Sequence, residues 1–291
     1  TLALDAMGGD HAPSIVIDGA ARIARRDRAI NFLVFGDAEY VQPLLDKYPN
    51  LTDRFELRHT DVKIASADRP RDAFRSKNKS SSMRLALAAV EAGEADAAIS
   101  AGNTGALMGL SKHVLGTAPG IDRPAIVSVM PTLNRGQSVL LDLGANVVCD
   151  AENLVQFAVM GAAYAQVSIG VENPTVGLLN VGVEDLKGND IVQEAHKILR
   201  TMNLGDAEYI GFVEGDDIQK GSCDVIVTDG FTGNVALKTT EGLARLIQEY
   251  IRRAFRNSIF GMLAYAIGFR RLQKLREQLD HIRSLSLTRG E

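Results

Sequence analysis

A short polar turn between an apolar run and a helical pattern is the stretch of this sequence best suited to chemistry. Residues 229–234 read D-G-F-T-G-N, and they follow Val225-Ile226-Val227, a run typical of a buried strand. Helical spacing of apolar residues resumes after Asn234. The two glycines permit unusual backbone angles, and the polar side chains stand where the free N–H groups of a helix attract an anion. The turn predicts an anion site, with an ordinary capped βα turn as the alternative.

Four other apolar runs end in turns of the same plan. These turns contain Gly8-Gly9-Asp10-His11, Gly102-Asn103-Thr104-Gly105, Gly144-Ala145-Asn146 and Glu184-Asp185-Leu186-Lys187-Gly188-Asn189. In an open parallel sheet such turns gather at the carboxyl edge of the strands, where ligands bind. The sequence therefore predicts that all five turns contribute to one site.

Strand and helix patterns alternate along the whole chain. Strands are predicted at 2–4, 31–36, 55–59, 96–100, 125–130, 140–143, 175–180, 210–213 and 225–228, and helices at 13–24, 38–47, 83–92, 108–115, 153–166, 190–201 and 234–246. This alternation indicates an α/β protein, a doubly wound α/β/α sandwich. A length of 291 residues allows one large domain or two lobes.

Composition excludes several classes of protein. A net charge of −4 gives no reason to expect nucleic acid as a partner. Cys149 and Cys223 are the only cysteines, which argues against a disulfide scaffold and favours buried free thiols over nucleophiles. Asp10 and His11 could ligate a metal, but no further ligands cluster with them in the sequence, so no metal site is predicted. Neither a signal peptide nor a bilayer-spanning apolar run is visible, which favours a cytoplasmic protein.

Two cationic segments stand out from this background. Arg69–Arg84 is rich in arginine, lysine and serine, and it is either a solvated loop or a docking surface for an acidic or phosphorylated partner. Residues 252–283 place the apolar stretch 258–269 between clusters of arginine and lysine. Twelve helical residues rise only about 18 Å, too little for a bilayer core of about 30 Å. This second segment suits an anionic membrane surface, or a helix pair that closes a dimer.

Eight stretches of the sequence carry a resemblance to a known family. They are LALDAMGGDHAP, SSSMRLAL, SAGNTGALMG, GIDRPA, LDLGAN, LVQFAVMG, LLNVG-ED-KGN and VTDGFTGNVALKTTEG, spread from Leu2 to Gly242 over about four fifths of the chain. Together they resemble the phosphate acyltransferases of bacterial phospholipid synthesis, also called acyl-ACP:phosphate acyltransferases. SAGNTGALMG and DGFTGNVALK are the longest and most specific matches.

The resemblance implies one phosphate acyltransferase domain over residues 1–291, similar in fold to the isocitrate/isopropylmalate dehydrogenases and the phosphotransacetylases. It implies transfer of a fatty acyl group from acyl carrier protein to inorganic phosphate, with no cofactor. The implied partners are acyl carrier protein, a second copy of the chain, the membrane surface and the membrane glycerol-3-phosphate acyltransferase, with a peripheral membrane location. Family members usually continue with a Gly-rich stretch and a further helix, whereas this sequence ends at Glu291. Substrate contacts that family members make from that C-terminal region are therefore not assigned to residues of this sequence.

The implied reaction makes modest chemical demands. Phosphate is already an oxygen nucleophile, and the leaving thiolate has a parent thiol with a pKa of about 8.5, by analogy with cysteine. Positioning and charge stabilisation are needed more than a covalent nucleophile. We expect Lys187 to neutralise phosphate or the developing oxyanion, and Asn234 to donate its amide to the acyl oxygen or phosphate. The alternatives are a surface lysine and a helix N-cap.

The remaining matched residues have supporting roles in this interpretation. We expect them to bind phosphate or orient the site: Asn103, Thr104, Gly105, Thr232, Gly233, Asp5, Asp10, His11, Asn146 and Asp229. Arg71, Arg75 and Lys77 are the expected contacts for acyl carrier protein. One rival is an isopropylmalate-type dehydrogenase that uses NAD, although the first βα turn lacks G-x-G-x-x-G. The other is a non-catalytic membrane scaffold that binds acyl carrier protein.

Overall fold

The computed structural model describes residues 1–75, 78–133 and 136–256. The chain divides into two compact units, Thr1–Ala118 and a second unit that begins at Pro119. Each unit has a sheet of its own with helices packed on it, so the predicted doubly wound α/β/α architecture is confirmed. The single functional domain over residues 1–291 stays a prediction.

The sheet of the first unit is parallel throughout, in the order β3-β2-β1-β4. Its strands are β1 (Leu2–Asp5), β2 (Phe32–Gly36), β3 (Phe55–His59) and β4 (Ala97–Ser100). Its helices are α1 (Ser14–Arg26), α2 (Ala38–Leu45), α3 (Ser82–Glu91) and α4 (Thr104–Leu115). Strand β2 is buried along its whole length, as expected for a parallel strand covered on both faces. All four carboxyl ends lie at one edge of the sheet.

The sheet of the second unit has the order β5-β6-β9-β7-β8. Strand β5 is antiparallel to β6, and the other pairs are parallel. Its strands are β5 (Val127–Thr132), β6 (Gly136–Leu141), β7 (Thr175–Leu179), β8 (Glu208–Val213) and β9 (Val225–Val227). Its helices are α5 (Ala151–Tyr164), α6 (Asp190–Thr201), α7 (Asp217–Lys220) and α8 (Gly230–Arg256). Phe157 of α5 lies fully buried in the core on one face of the sheet.

Helix α8 begins four residues earlier than the sequence predicts. Its first residue is Gly230, so most of the D-G-F-T-G-N stretch is the first turn of the helix. Asp229 caps this turn, because its carboxylate accepts a hydrogen bond of 2.9 Å from the backbone N–H of Thr232. Asn234 therefore lies inside the helix, and the alternative that Asn234 is the N-cap is wrong.

Two further features of the sequence have clear structural outcomes. Both thiols are buried, Cys149 and Cys223, and burial raises the pKa of the Cys149 thiol. The prediction that both thiols are buried and outside a disulfide is therefore confirmed. Among the helices that the structure describes, none is long and apolar enough to cross a bilayer. The apolar stretch 258–269 lies outside the described residues.

A buried histidine predicts how stability depends on pH. His196 of α6 stacks on Phe212, and its Nδ1 shares a 2.7 Å hydrogen bond with the Tyr209 hydroxyl. Its Nε2 has no partner within the described residues, and burial lowers the pKa of the ring. The unfolded chain therefore takes up a proton below about pH 6.5 that the folded chain resists. The free energy of unfolding is expected to fall as the pH drops through 6.5, by at most about 1.4 kcal/mol per pH unit.

Denaturant unfolding between pH 7.5 and 5.5 measures this dependence. His196→Phe should flatten the slope, whereas the control His113→Gln, which changes an exposed histidine, should leave the slope intact. An equal slope in His196→Phe and the unmodified chain would assign the pH dependence to other groups.

Candidate functional site

In the first unit, a buried carboxylate ties three segments together at the carboxyl edge of the sheet. Asp5 ends β1, and its carboxylate accepts hydrogen bonds of 2.6 Å from the hydroxyls of Ser82 and Ser100. Ser82 begins α3 and Ser100 ends β4. Burial raises the pKa of the Asp5 carboxyl, while the two serine hydrogen bonds oppose that rise. The carboxylate thus holds neighbouring turns in place from within the protein.

The glycine turn after β1 packs tightly on this carboxylate. A Cβ at Gly8 would lie 2.5 Å from Asp5 Oδ2 and 2.8 Å from the Ser100 hydroxyl, so a side chain does not fit there. Asp10 and His11 follow in an exposed position. Asp10 accepts a hydrogen bond of 3.2 Å from the Ser66 hydroxyl.

Asn103 is the N-cap of α4, and its side chain is fully used by the protein. Its Oδ1 accepts from the backbone N–H of Ala106 at 2.9 Å. Its Nδ2 donates to the carbonyl oxygens of Ser66 and Asp68 at 3.0 and 2.9 Å. Thr104 and Gly105 form the first turn of the helix, and a Cβ at Gly105 would lie 2.7 Å from Pro70. Any anion at this end of α4 would be held by backbone N–H groups.

The predicted docking segment lies against the same helix. Residues 70–74 form a 3-10 turn, and the Phe74 ring contacts His113 of α4 edge to face. Arg71 and Arg75 are exposed. Arg75 pairs with Asp72 at 2.9 Å, within its own turn. Lys77 lies outside the described residues.

The second unit has a buried carboxylate hub of its own at the end of β6. Asp142 is fully buried, and its carboxylate accepts five hydrogen bonds, from the backbone N–H groups of Ile126, Gly144, Ala145 and Asn146 and from the Asn146 side-chain amide. The Asn146 amide also donates to the carbonyl oxygen of Pro124 at 2.8 Å. Asn146 therefore has a structural role in this loop, with its amide hydrogens directed into the protein.

The first turn of α8 is pressed against this hub. A Cβ at Gly230 would lie 2.7 Å from the Asn146 carbonyl oxygen, and a Cβ at Gly233 would overlap the carbonyl oxygen of Asp142. Only glycine permits this close approach of two backbones. Thr232 donates its hydroxyl to Asp229 at 2.7 Å, which occupies the second carboxylate oxygen of the cap. Asn234 follows directly and is exposed.

Lys187 lies in an exposed loop between β7 and α6. Its backbone carbonyl accepts hydrogen bonds from the side chains of Asn180 and Gln193, which fix the path of the loop. Gly188 follows with a positive φ of 98° and packs on Asn180. The Lys187 ammonium group has no ion-pair partner within the described residues. It is therefore free to meet an anion.

A cavity of about 440 Å³ in the second unit lies between the loop of Lys187 and the start of α8. Gly188 and Asn189 line one side of it, and Asp229 and Thr232 line the other. Lys187 immediately precedes Gly188 in the chain, and Asn234 immediately precedes Val235, another lining residue. The structure thus brings these two predicted turns to one hollow.

The five turns are divided between the two units. Asp10, His11, Asn103, Thr104 and Gly105 belong to the first unit, and the expected turns at Asn146, Lys187 and Asn234 belong to the second. Convergence of all five turns stays a prediction, as do the roles assigned to individual residues. Within the described residues, no three His, Cys, Asp or Glu side chains are grouped so that they could hold a metal ion.

Several residues that shape these edges carry no role at the site in the sequence analysis, although Ser82 is expected there as a capping residue of the following helix. Asp142, Ser82 and Ser100 each make buried polar contacts there. The available signal was position: Asp142 stands directly after an apolar strand pattern, as Asp5 does. Asn180, which braces the Lys187 loop, also follows an apolar run.

Comparison with known proteins identifies the relationship. A family model described as "Fatty acid synthesis protein" matches residues 1–284. The chain belongs to this family. It is similar to the phosphate acyltransferase of Rhodospirillum centenum, with 52% identity over 279 residues that cover 96% of this chain and 78% of that protein. It is also similar to the phosphate acyltransferase of Parvibaculum lavamentivorans, with 50% identity over 280 residues that cover 96% and 77%.

These relatives confirm the resemblance that the motifs carried. The chain is an acyltransferase of the phosphate acyltransferase family, and the dehydrogenase and scaffold alternatives are not favoured. Solved structures with a similar fold include a phosphotransacetylase from Streptococcus pyogenes, with a TM-score of 0.64, 19% identity and coverage of 84% of this chain and 82% of that one. EutD phosphotransacetylase from Staphylococcus aureus has a TM-score of 0.60, 20% identity and coverage of 83% and 81%. At such identities the likeness concerns the fold alone.

Proposed function

We propose that this chain moves a long-chain fatty acyl group from acyl carrier protein to inorganic phosphate, and that the acyl phosphate serves phospholipid synthesis. The observation that carries the proposal is identity of about 50% over 96% of the chain to proteins named phosphate acyltransferase. Lys187 supports it, because it is exposed, has no ion-pair partner among the residues that the structure describes, and directly precedes Gly188 of the cavity lining. Phosphate needs such a cation, and the thioester needs a pocket.

In the proposed reaction a phosphate oxygen attacks the thioester carbonyl carbon. A C–O bond forms, the C–S bond breaks, and the electron pair leaves on sulfur as a thiolate, which takes a proton from solvent. Lys187 neutralises phosphate and Asn234 donates its amide to the developing oxyanion. Asn103, Thr104 and Gly105 supply backbone N–H groups or a hydroxyl for phosphate. Thr232 and Gly233 were expected to do the same, but their donors are bonded to Asp229, so they shape the turn that carries Asn234. Asp10, His11, Asn146 and Asp229 orient these groups.

Rigid support of Asn234 favours this assignment. Stabilisation of a developing charge is most effective when the donors are fixed before the reaction begins. Gly233, one residue before Asn234, packs on the Asp142 backbone, and Asp142 is itself held by five hydrogen bonds. The first turn of α8 therefore has little freedom to move away from its loop.

Incubation with palmitoyl-ACP and phosphate tests the proposed function. Hydroxylamine traps the acyl phosphate as a hydroxamate, and free carrier protein is measured in parallel samples that contain no hydroxylamine, because hydroxylamine also cleaves thioesters. We expect both products to appear together and to require phosphate. Release of carrier protein without phosphate would identify a thioesterase, and no release at all would reject acyl transfer from this donor.

Charge reversal in the docking segment tests the acyl carrier protein contact. Carrier protein is acidic, so Arg71→Glu with Arg75→Glu should raise KM on the order of tenfold at low ionic strength, because steering by surface charge governs encounter. The increase should shrink as salt screens the charges. The control Arg22→Glu reverses an exposed arginine on α1. An equal KM in both variants would move the docking surface elsewhere.

The other proposed partners are a second copy of the chain, the membrane surface and the membrane glycerol-3-phosphate acyltransferase, in a cytoplasmic, peripherally membrane-associated enzyme. From residue 257 onwards the basic and apolar segment 252–283 lies outside the described residues. Sedimentation with anionic vesicles tests the membrane contact, and light scattering tests the dimer. A chain that is monomeric and does not sediment with the vesicles would reject both the dimer and the membrane contact.

A further inference from the structure

The cavity beside the Lys187 loop has walls of a chemistry that phosphate does not need. Aliphatic side chains line much of it, from β7, α6, α7, α8 and the segment after β7: Leu179, Val181, Val192, Ile218, Val235 and Ala236. None of the described residues that line it is Lys or Arg. Its one carboxylate, Asp229, is already occupied by the N–H and hydroxyl of Thr232. Walls with this share of aliphatic side chains and no cationic side chain among the described residues favour a neutral, largely apolar ligand over an inorganic anion.

The loop that carries Lys187 also exposes apolar side chains. Val181 is 80% exposed, Val183 is 59% exposed and Leu186 is 96% exposed, and all three precede Lys187 in the same loop. Apolar side chains in solvent gain about 25 cal/mol per Å² when a ligand covers them. Val181 also lines the cavity, so the exposed apolar side chains of this loop continue an apolar wall of the cavity.

We infer that this cavity holds the fatty acyl chain of the thioester substrate, with the carbonyl end towards Lys187 and Asn234. The inference rests on the proposed acyl transfer and adds the path of the chain. A methylene group occupies a volume similar to that of a water molecule, roughly 30 Å³. The volume of about 440 Å³ thus accommodates on the order of a dozen carbons. The Thr240 hydroxyl at the lining does not oppose this occupant, because it already donates to the Ala236 carbonyl oxygen.

Filling the cavity should change chain-length preference selectively. Thr239 lines the cavity from α8 and is exposed, so Thr239→Trp adds bulk without disturbing the core. We expect kcat/KM for palmitoyl-ACP to fall at least tenfold, since each methylene displaced from an apolar site loses about a fourfold factor. The value for butyryl-ACP should change less than twofold. The matched control Thr201→Trp alters an exposed threonine of α6 that is not at the cavity, and should affect neither substrate.

The outcomes separate this inference from the function on which it rests. If unmodified chain forms no acyl phosphate from any substrate, the proposed function fails. If acyl phosphate does form, and Thr239→Trp lowers kcat/KM equally for substrates of all chain lengths, the cavity holds the pantetheine arm. The inference is then overturned. Unchanged kinetics in that variant also overturn it.

A second measurement needs no variant to fold. Acyl-pantetheine thioethers, which cannot transfer their chain, should inhibit the unmodified chain about fourfold more tightly per added methylene, up to about a dozen carbons. Inhibition that is independent of chain length would contradict an acyl chain in the cavity.

Discussion

Lys187→Ala should lower kcat/KM for acyl phosphate formation by about a hundredfold or more. Removal of one preorganised electrostatic contact to a developing charge typically has an effect of that size. The ammonium group has no ion-pair partner within the described residues, so its loss leaves no buried charge behind. The fold and the free energy of unfolding should therefore change little. Steady-state assays at saturating phosphate and at limiting phosphate measure whether the loss lies in kcat, in the KM for phosphate, or in both.

Two companion variants make this result specific. Lys197→Ala removes another exposed lysine, one paired with Glu194 at 3.1 Å on α6, and should leave activity unchanged. Asn234→Ala should produce a loss similar to that of Lys187→Ala, and the double variant should lose less than the product of the two if both groups act on the same transition state. Near-full activity in a folded Lys187→Ala variant would reject the proposed role of this side chain.

Asp142→Ala should prevent the second unit from folding stably. The carboxylate accepts five hydrogen bonds in a fully buried position. Each buried donor left without a partner costs about 1–3 kcal/mol, so the total loss is a large share of the ~5–15 kcal/mol that stabilises a typical domain. We expect loss of cooperative unfolding or a marked fall in the denaturant midpoint, with acyl transfer abolished as a consequence.

The control for this variant is Asp216→Ala. Asp216 is an exposed aspartate that pairs with Lys220 at the surface, and such pairs contribute at most about 1 kcal/mol. Its denaturant midpoint should stay close to that of the unmodified chain. If Asp142→Ala unfolded at the same denaturant concentration as Asp216→Ala, water would have to accept the hydrogen bonds that the loop donates to the Asp142 carboxylate. Asp142 would then not organise the loop.

The order of strands and helices could be predicted because parallel strands are buried on both faces. Such strands appear as apolar runs, and runs such as Val225-Ile226-Val227 were placed correctly. Boundaries are harder to predict: β6 occupies Gly136–Leu141 rather than 140–143, because it pairs with the antiparallel strand β5 along its whole length, from Gly136 to Leu141. The early start of α8 was missed because Gly230 and Gly233 have low helix propensity. Here the Asp229 cap and close packing on the Asp142 loop outweigh that propensity.

The roles of residues at the candidate site depend on contacts with residues that are distant in the sequence, and local sequence patterns do not show such contacts. Asn103 was expected to bind phosphate, yet its amide joins the Ser66–Asp68 loop, about 35 residues away, to the start of α4. The importance of Asp142 depends on Ile126 and on a loop that folds back over it. Local patterns indicate that a polar group stands at a strand end. They do not indicate whether that group faces a ligand or the protein.

The two cysteines offer a natural probe of how the second unit opens. Cys223 is fully buried next to β9, and Cys149 lies under the Asp142 loop with its thiol donating to the Asn146 carbonyl oxygen at 3.3 Å. A thiol-reactive dye can label either one only when the surrounding structure separates. Labelling rates would therefore measure local opening of the loop at Cys149 and of the central strands at Cys223, without any engineered tag.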